Sequence, residues 1–164
     1  MTIINTTKKV SDRLGKNTKA VLADDKTILG AWCAHIFYSG HHQYAMLTNE
    51  RTLLTIVFPV KDLKKIEIVF PKNVDTVLQS YGLPSNVNEK VCSQLSIIHY
   101  ARDTKRQVLG SMNDFIRMAK YLFDDIPNLS INELSIRLND MPCSPIQMKS
   151  PKEAVMEILE RVVA

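Results

Sequence analysis

The sequence predicts an α+β fold, an antiparallel sheet of about five strands packed by four or five helices. Three β-rich runs, ILGAWCAHIFY, QYAMLTN and TLLTIVFPV, follow one another with only the turn-like segments SGHH and NER between them. In the last third of the chain, apolar residues recur at the three- and four-residue spacing of amphipathic helices. A meander of strands therefore precedes a helical C-terminal third.

The N-terminal elements follow in chain order. TIIN is typical of a short strand, and TTKKVSDRLG of a helix with Thr7 as N-cap and Gly15 as left-handed C-cap. In the first long strand, Trp32, Ala34 and Ile36 alternate with Cys33 and Phe37, so both faces are apolar. This alternation predicts a sheet that is covered on both sides.

The middle of the chain combines a helix with further strands. KDLKKIEIVF and the apolar residues after Pro71 predict helix up to a stop at Gly82 and Pro84. The pattern of residues 86–93 does not decide between a helix, a strand and a loop, whereas QLSIIHYAR is typical of a strand. KRQVLG is predicted to pair with that strand across the turn RDT.

Three serines precede helical patterns and have an acidic residue three positions later. These are Ser111 with Asp114, Ser130 with Glu133, and Ser150 with Glu153. Both side chains of such a pair can bond to free amides at a helix start, and Pro151 suits the first helical position. The pairs predict helix starts at all three places, although SINELSIRLND also suits a strand.

Length and composition indicate one domain over residues 1–164, since the 164 residues show no repeat or linker. The longest apolar run, residues 28–38, is shorter than the ~20 residues of a membrane helix, and the N-terminus does not resemble a signal peptide. An odd number of well-separated cysteines, Cys33, Cys92 and Cys143, is typical of free thiols. We therefore expect a cytoplasmic protein without membrane contact.

The stretch RDTKRQVLGSMNDF, residues 102–115, admits two interpretations. Gly110 as a turn residue and Ser111 with Asp114 as caps explain it structurally, and we favour this explanation for those two side chains. The free amides of a helix start also attract anions, and basic side chains lie just upstream. The candidate ligand-binding residues are Arg102, Lys105, Arg106, Ser111, Asn113 and Asp114.

Three stretches together resemble a known family. RQVLGSMND, WCAHIFYSGHHQYAMLTNERTL and IRLNDMPCSPI resemble, in their motifs, a family of small bacterial proteins of unknown function. The matching positions are Trp32, Asn49, Thr52, Arg106, Gly110, Ser111, Asn113, Asp114, Asn139 and Pro142. The resemblance implies a domain of unknown function and supplies no activity.

Motifs for metals, cofactors and catalysis are missing from the sequence. It contains no HExxH, CxxC or GxSxG spacing and no dinucleotide fingerprint, so we expect no metal and no cofactor. His41 and His42 are predicted to be exposed in a hairpin turn. Cys33 and His35 share one strand face, which leaves a nucleophilic Cys/His pair open.

Three functional hypotheses remain. The first is a non-catalytic binding or interaction module whose residues 102–114 hold an anionic group, with nucleic acid as one source. The 21 basic against 17 acidic residues permit this, but the basic residues are spread along the chain. The second is a small enzyme using Arg106, Asn113 and Asp114, with His35 or His99. The third is a module that binds a protein partner through its sheet edge.

Overall fold

Five strands form one sheet. The structure is a computed structural model and describes residues 1–15 and 24–163. The strands are β1 (Thr2–Thr6), β2 (Trp32–Ser39), β3 (His42–Asn49), β4 (Thr55–Pro59) and β5 (Ile98–Ala101). Their order is β4-β3-β2-β1-β5, in which β2, β3 and β4 form the predicted antiparallel meander. The α+β class is confirmed, but the sheet is mixed because β1 runs parallel to both of its neighbours.

Six α-helices accompany the sheet within the described residues. They are α1 (Lys8–Leu14), α2 (Ile66–Gln79), α3 (Ser85–Ser93), α4 (Arg106–Asp125), α5 (Ile131–Leu138) and α6 (Pro151–Val163), with 3₁₀ turns at Val60–Lys65 and Ser144–Ile146. Helix α1 follows Thr7 and ends at Gly15, whose φ of 66° is the predicted left-handed cap. Helix α3 occupies the residues that the sequence left without an element. None of these helices combines the length and apolar character needed to cross a membrane.

Apolar clusters lie on both faces of the sheet, as the strand alternation predicts. Trp32, Ala34 and Ile36 belong to one cluster, with residues of α2, α3 and α6. Cys33 and Phe37 belong to the other, with residues of α4 and α5. Helix α4 packs on the β2 and β3 part of this second face. On β1, the residues of the same face, Ile3 and Asn5, are also buried, and they border the cavity described below.

The predicted strand KRQVLG and the helix start at Ser111 are both wrong. Helix α4 already begins at Arg106, and Gly110 lies inside it without a positive φ. Val108 and Met112 are both buried, four residues apart, so the helical face continues through Gly110. Strand β5 pairs with β1 instead. The two other serine caps are confirmed, since the Oγ atoms of Ser130 and Ser150 accept bonds from the amides three residues later at 3.1 and 3.2 Å.

The outer edge of β4 is closed by the side chains of Ser135 in α5 and of Asn139, the residue that follows this helix. Asn139 accepts a hydrogen bond from the Thr55 amide through Oδ1 and donates one to the Thr55 carbonyl through Nδ2, both at 2.8 Å. Nδ2 also donates to the Ser135 carbonyl, and the Ser135 hydroxyl accepts from the Val57 amide at 3.2 Å. Asn139 therefore pairs with β4 as a neighbouring strand would, which blocks an edge that could template self-association.

Candidate functional site

A polar cavity of about 590 Å³ lies beside β1. We call it the β1 cavity, and its described lining residues are Ile3, Asn5, Asp24, Asp25, Gly30, Ala31, Glu50, Arg51, Asp103 and Lys105. Asn5 is in register with Cys33, so it projects on the sheet face that α4 covers only farther along, over β2 and β3.

A hydrogen-bonded network joins three separate parts of the chain at this cavity. The Asn5 Nδ2 group and the Lys105 Nζ group each donate to a different carboxylate oxygen of Glu50, both at 2.7 Å. The Asp103 amide donates to Asn5 Oδ1 at 3.2 Å. The Glu50 side chain is only 8% exposed, whereas that of Lys105 is 56% exposed. A mostly buried carboxylate is thus held by a buried amide and an accessible ammonium group.

The turn after β3 places Glu50 and Arg51, and Asn49 fixes that turn. Asn49 Oδ1 accepts from the Arg51 amide and from the Thr52 amide and hydroxyl, at 3.2, 2.9 and 2.8 Å. Its Nδ2 donates to the carbonyls of Leu29 and Ala31, at 3.0 and 3.2 Å. Asn49 therefore ties the turn to the segment before β2. Asn49 and Thr52 are two positions at which the family resemblance was seen.

Asp25 fixes another wall of the cavity. Its carboxylate accepts from the Ile3 amide at 2.6 Å and the Thr2 hydroxyl at 3.1 Å, and from both the amide and the hydroxyl of Thr27. Four donors occupy its two oxygens, which is about the full capacity of a carboxylate. Asp25 therefore holds the loop before β2 against the start of β1.

Other charged groups of the cavity are less engaged. Arg51 forms no ion pair with another described residue, and its guanidinium group passes over Gly30, 3.8 Å from where a Cβ there would lie.

The hydrogen bond with Glu50 raises the pKa of Lys105, and the Asp103 charge adds to this rise, while burial opposes it. Lys105 therefore stays protonated at neutral pH. Asp103 and Asp24 add two carboxylates to the walls.

The Cys33 thiol is buried in the sheet and keeps its proton at neutral pH. Burial, and then the charge of Glu50, raises the pKa of Cys33 to about 12, and the residue is fully buried. His35, on the same strand face, contacts the Thr7 hydroxyl through Nδ1 at 2.9 Å, and burial lowers its pKa. The two side chains therefore make separate contacts. The cysteines at 33, 92 and 143 are all free, as the sequence predicts.

The six predicted site residues are spread along α4 and the connector before it. Lys105 lines the β1 cavity, and Arg102 and Arg106 on either side are exposed. Ser111 is buried, and Asp114 is exposed in an ion pair with Arg117. At 1.5 Å per residue, Arg106 and Asp114 are ~12 Å apart along the helix axis.

Ser111 and Asp114 line a different cavity of about 360 Å³. We call it the loop cavity, and its other described lining residues are Phe115, Met141, Pro142, Cys143, Ser144, Pro145 and Met148. Asn113 points away from the buried face of α4 and is exposed. The structure therefore does not gather the six residues into one site.

Sequence reasoning missed Asn5, Asp25, Glu50 and Arg51. The only local signal was an asparagine inside the apolar strand TIIN, because a buried amide needs partners. For metals, no group of three or more His, Cys, Asp or Glu side chains within residues 1–15 and 24–163 has a suitable arrangement. His41 and His42 are exposed at the β2–β3 hairpin, as predicted.

Comparison with protein-family models identifies the family of this chain. A family model described as "Domain of unknown function (DUF6933)" matches residues 3–154. No curated protein and no solved structure matches the chain. The matched region contains both cavities and every residue of the Asn5–Glu50–Lys105 network.

Proposed function

The chain belongs to this family of unknown function, and we propose that it is a binding module that takes a small polar molecule with a cationic group into the β1 cavity. The observation that carries this proposal is the Asn5–Glu50–Lys105 network in the wall of this cavity beside β1. Burying a carboxylate costs free energy unless it is paired. A polar network at the floor of a cavity is more useful for recognising a ligand than for packing a sheet.

The cavity has the size and the rigidity of a ligand site. Its volume of about 590 Å³ lies within the range of small-molecule sites, roughly 300–1,000 Å³. Asn49 fixes the turn that carries Glu50, and Asp25 fixes the opposite loop. Walls that are already held in place lose little conformational freedom when a ligand binds, which favours affinity.

The charges of the walls select the ligand class. Among the described lining residues there are four carboxylates and two cationic side chains. Lys105 already neutralises Glu50, and Asp25 is occupied by four donors. Two carboxylates, those of Asp24 and Asp103, therefore remain against a single cationic side chain, that of Arg51. An ammonium or guanidinium group can pair with these carboxylates, while Arg51 can bind a hydroxyl or carboxylate elsewhere on the ligand.

We expect small amines to stabilise the protein against thermal unfolding, while matched alcohols and dicarboxylic acids do not. A ligand at roughly ten times its Kd should raise Tm by about 3–6 °C for a chain of this size. A panel of aliphatic diamines, amino alcohols and amino acids, measured by differential scanning fluorimetry at low salt, tests this expectation.

Asp103→Asn should abolish the rise in Tm, and Asp124→Asn is the matched control. Asp124 is an exposed residue of α4 outside the cavity, so its replacement changes the net charge equally. A panel in which no amine stabilises the wild type, or in which acids stabilise it as well as amines, would contradict the proposal. So would a rise that survives Asp103→Asn.

The start of α4 supports a second candidate, binding of an anion such as a nucleic-acid phosphate. No side chain caps this 20-residue helix, and its first turn contains no acidic residue. Arg102, Lys105 and Arg106 lie at this end, where the helix dipole also attracts anions.

The enzyme alternative has less support, since Arg106 lies two turns from Asp114. The three free cysteines favour action of the module in the cytoplasm.

Phosphate binding at the start of α4 predicts an affinity for nucleic acid that falls steeply as salt rises. For single strands, the slope of log K against log salt is about −0.7 for each phosphate contacted. The variant Arg102→Ala/Arg106→Ala should flatten this slope while leaving the Lys105–Glu50 ion pair intact. Fluorescence anisotropy with labelled single- and double-stranded oligonucleotides measures it. An absence of binding at low salt would remove this candidate.

A further inference from the structure

A third cavity lies between α2 and α3. These two helices pack against each other as a hairpin, and the cavity between the end of α2 and the start of α3 has a volume of about 260 Å³. It shares no lining residue with the β1 cavity, so the further inference does not depend on the proposed function. We call it the hairpin cavity, and its described lining residues are Asp75, Gln79, Leu83, Ser85, Asn88 and Glu89.

Asn88 is the unusual residue of this cavity. It is only 4% exposed, yet its side-chain carbonyl oxygen, Oδ1, has no hydrogen-bond partner in the described part of the chain. Buried polar atoms are nearly always hydrogen-bonded, because an unpaired one loses its bonds to water without replacement. An acceptor without a donor, on a residue that lines a cavity, indicates that a donor belongs in that cavity.

Two carboxylates lie at the same cavity without a cationic partner. Asp75 Oδ2 accepts a hydrogen bond from Gln79 Nε2 at 2.7 Å, and neither Asp75 nor Glu89 forms an ion pair with another described residue. None of the described lining residues is basic. The cavity therefore has two negative charges that nothing in its described walls offsets.

Helical spacing directs these groups toward the same space. Ser85 is three residues before Asn88 and four before Glu89, so the three side chains share one side of α3. Cys92 continues that side, and burial, and then the charge of Asp75 on α2, raises the pKa of the Cys92 thiol to about 12. Asp75 therefore lies close to the side of α3 that carries Asn88.

The groups in the walls favour a hard cation that keeps its bound water. Carboxylate and amide oxygens suit Mg²⁺, and the described lining residues include no sulfur or imidazole group. Mg²⁺ gives up its waters reluctantly, so it is often held through them instead of by a full set of protein ligands. Six waters at roughly 30 Å³ each occupy about 180 Å³, which the hairpin cavity can hold.

We propose that the hairpin cavity binds a hydrated magnesium ion, which Asp75, Glu89 and Asn88 hold through the waters bound to the metal. These waters donate hydrogen bonds to the two carboxylates and to Asn88 Oδ1, so the unpaired oxygen gains its donor. The double positive charge of the ion balances the two carboxylates. Sequence motifs for metals do not reveal such a site, because they record direct ligands.

Isothermal titration of MgCl₂ at low salt into the full chain, freed of metal with a chelator, tests the site. We expect one equivalent, with an affinity at least about tenfold weaker in Asp75→Asn and in Glu89→Gln, because each substitution removes one of the two charges. Asp124→Asn is the matched control, since it removes the same charge from an exposed position outside the hairpin cavity. Asp103→Asn should bind Mg²⁺ as the wild type does, which separates a failure of this inference from a failure of the amine site.

Hexaamminecobalt(III) distinguishes an ion held through its waters from one that is coordinated directly. This ion has nearly the size and shape of hydrated Mg²⁺, and its ammonia ligands do not exchange, so it binds only through N–H donors. We expect it to displace Mg²⁺ from the wild-type protein. Mg²⁺ binding that hexaamminecobalt(III) leaves unchanged would contradict the proposal.

Asn88→Leu separates a role in binding from a role in packing. Leucine has nearly the shape of asparagine and no polar side-chain atom, so the metal-free variant should have a Tm at least equal to that of the wild type, while its Mg²⁺ affinity falls. A lower Tm would show that Oδ1 has a partner in the fold, and an unchanged affinity would remove Asn88 from the site. Equal Mg²⁺ affinities in the wild type, Asp75→Asn and Asp124→Asn would overturn the proposal as a whole.

Discussion

Asn49→Ala is expected to lower the free energy of unfolding by about 3–5 kcal/mol, because it leaves several buried polar groups without partners, at ~1–3 kcal/mol each. Asn49 is fully buried and its side chain makes five hydrogen bonds. Without it, the Thr52 amide loses its side-chain acceptor and the Leu29 carbonyl its side-chain donor. Urea denaturation monitored by fluorescence of Trp32 measures the loss.

The same substitution should also weaken binding in the β1 cavity, because Asn49 positions the turn that carries Glu50 and Arg51. Asn86→Ala is the matched control, since Asn86 is exposed on α3, and surface substitutions usually change stability by less than ~0.5 kcal/mol. A loss below about 1 kcal/mol for Asn49→Ala would contradict this view of the turn.

Asn139→Ala is expected to cost about 2–4 kcal/mol and to promote self-association, because it leaves buried backbone groups unpaired. The substitution removes three buried hydrogen bonds and exposes the amide and carbonyl of Thr55 on the outer edge of β4. An edge with free amides and carbonyls can pair with another chain. Urea denaturation and sedimentation velocity over a range of protein concentrations measure the two effects.

Ser135→Ala is the graded comparison for Asn139→Ala. It removes only the hydroxyl that accepts from the Val57 amide, so we expect a cost of about 1 kcal/mol and no self-association. If Asn139→Ala stayed monomeric at all concentrations and unfolded like Ser135→Ala, side-chain closure of the β4 edge would be wrong as an explanation.

The parts of the fold that could be predicted from sequence are those set by local patterns. The alternation of apolar side chains correctly predicted that β2 is buried on both of its faces. The serine caps before α5 and α6 were predictable because they depend on contacts three residues apart. The prediction of where α4 starts was wrong because a glycine followed by a serine, here Gly110 and Ser111, is also typical of a turn followed by a helix N-cap. Only the buried Val108, which extends the helical face upstream, indicated the longer helix.

The pairing of β1 could not be predicted from sequence. Strand β1 lies parallel to β2 and to β5, which begins more than 90 residues later in the chain. No turn sequence signals such pairing, in contrast to the hairpins of β2, β3 and β4. The sequence therefore predicted the class and the meander but not the mixed sheet.

The candidate site was hidden for the same reason. Lys105 was singled out for its charge, but its partner Glu50 lies 55 residues earlier, and Glu50 and Asn5 are 45 residues apart. Such contacts exist only after the sheet has formed.

The central claim is that the β1 cavity binds a cationic small molecule through its carboxylates. Isothermal titration of the amine that stabilises the protein most, into wild type, Asp103→Asn and Asp124→Asn, tests it most directly. We predict one site, an affinity at least about tenfold weaker in Asp103→Asn, and wild-type affinity in Asp124→Asn. Equal affinities in all three proteins would contradict the account and place the amine outside the β1 cavity.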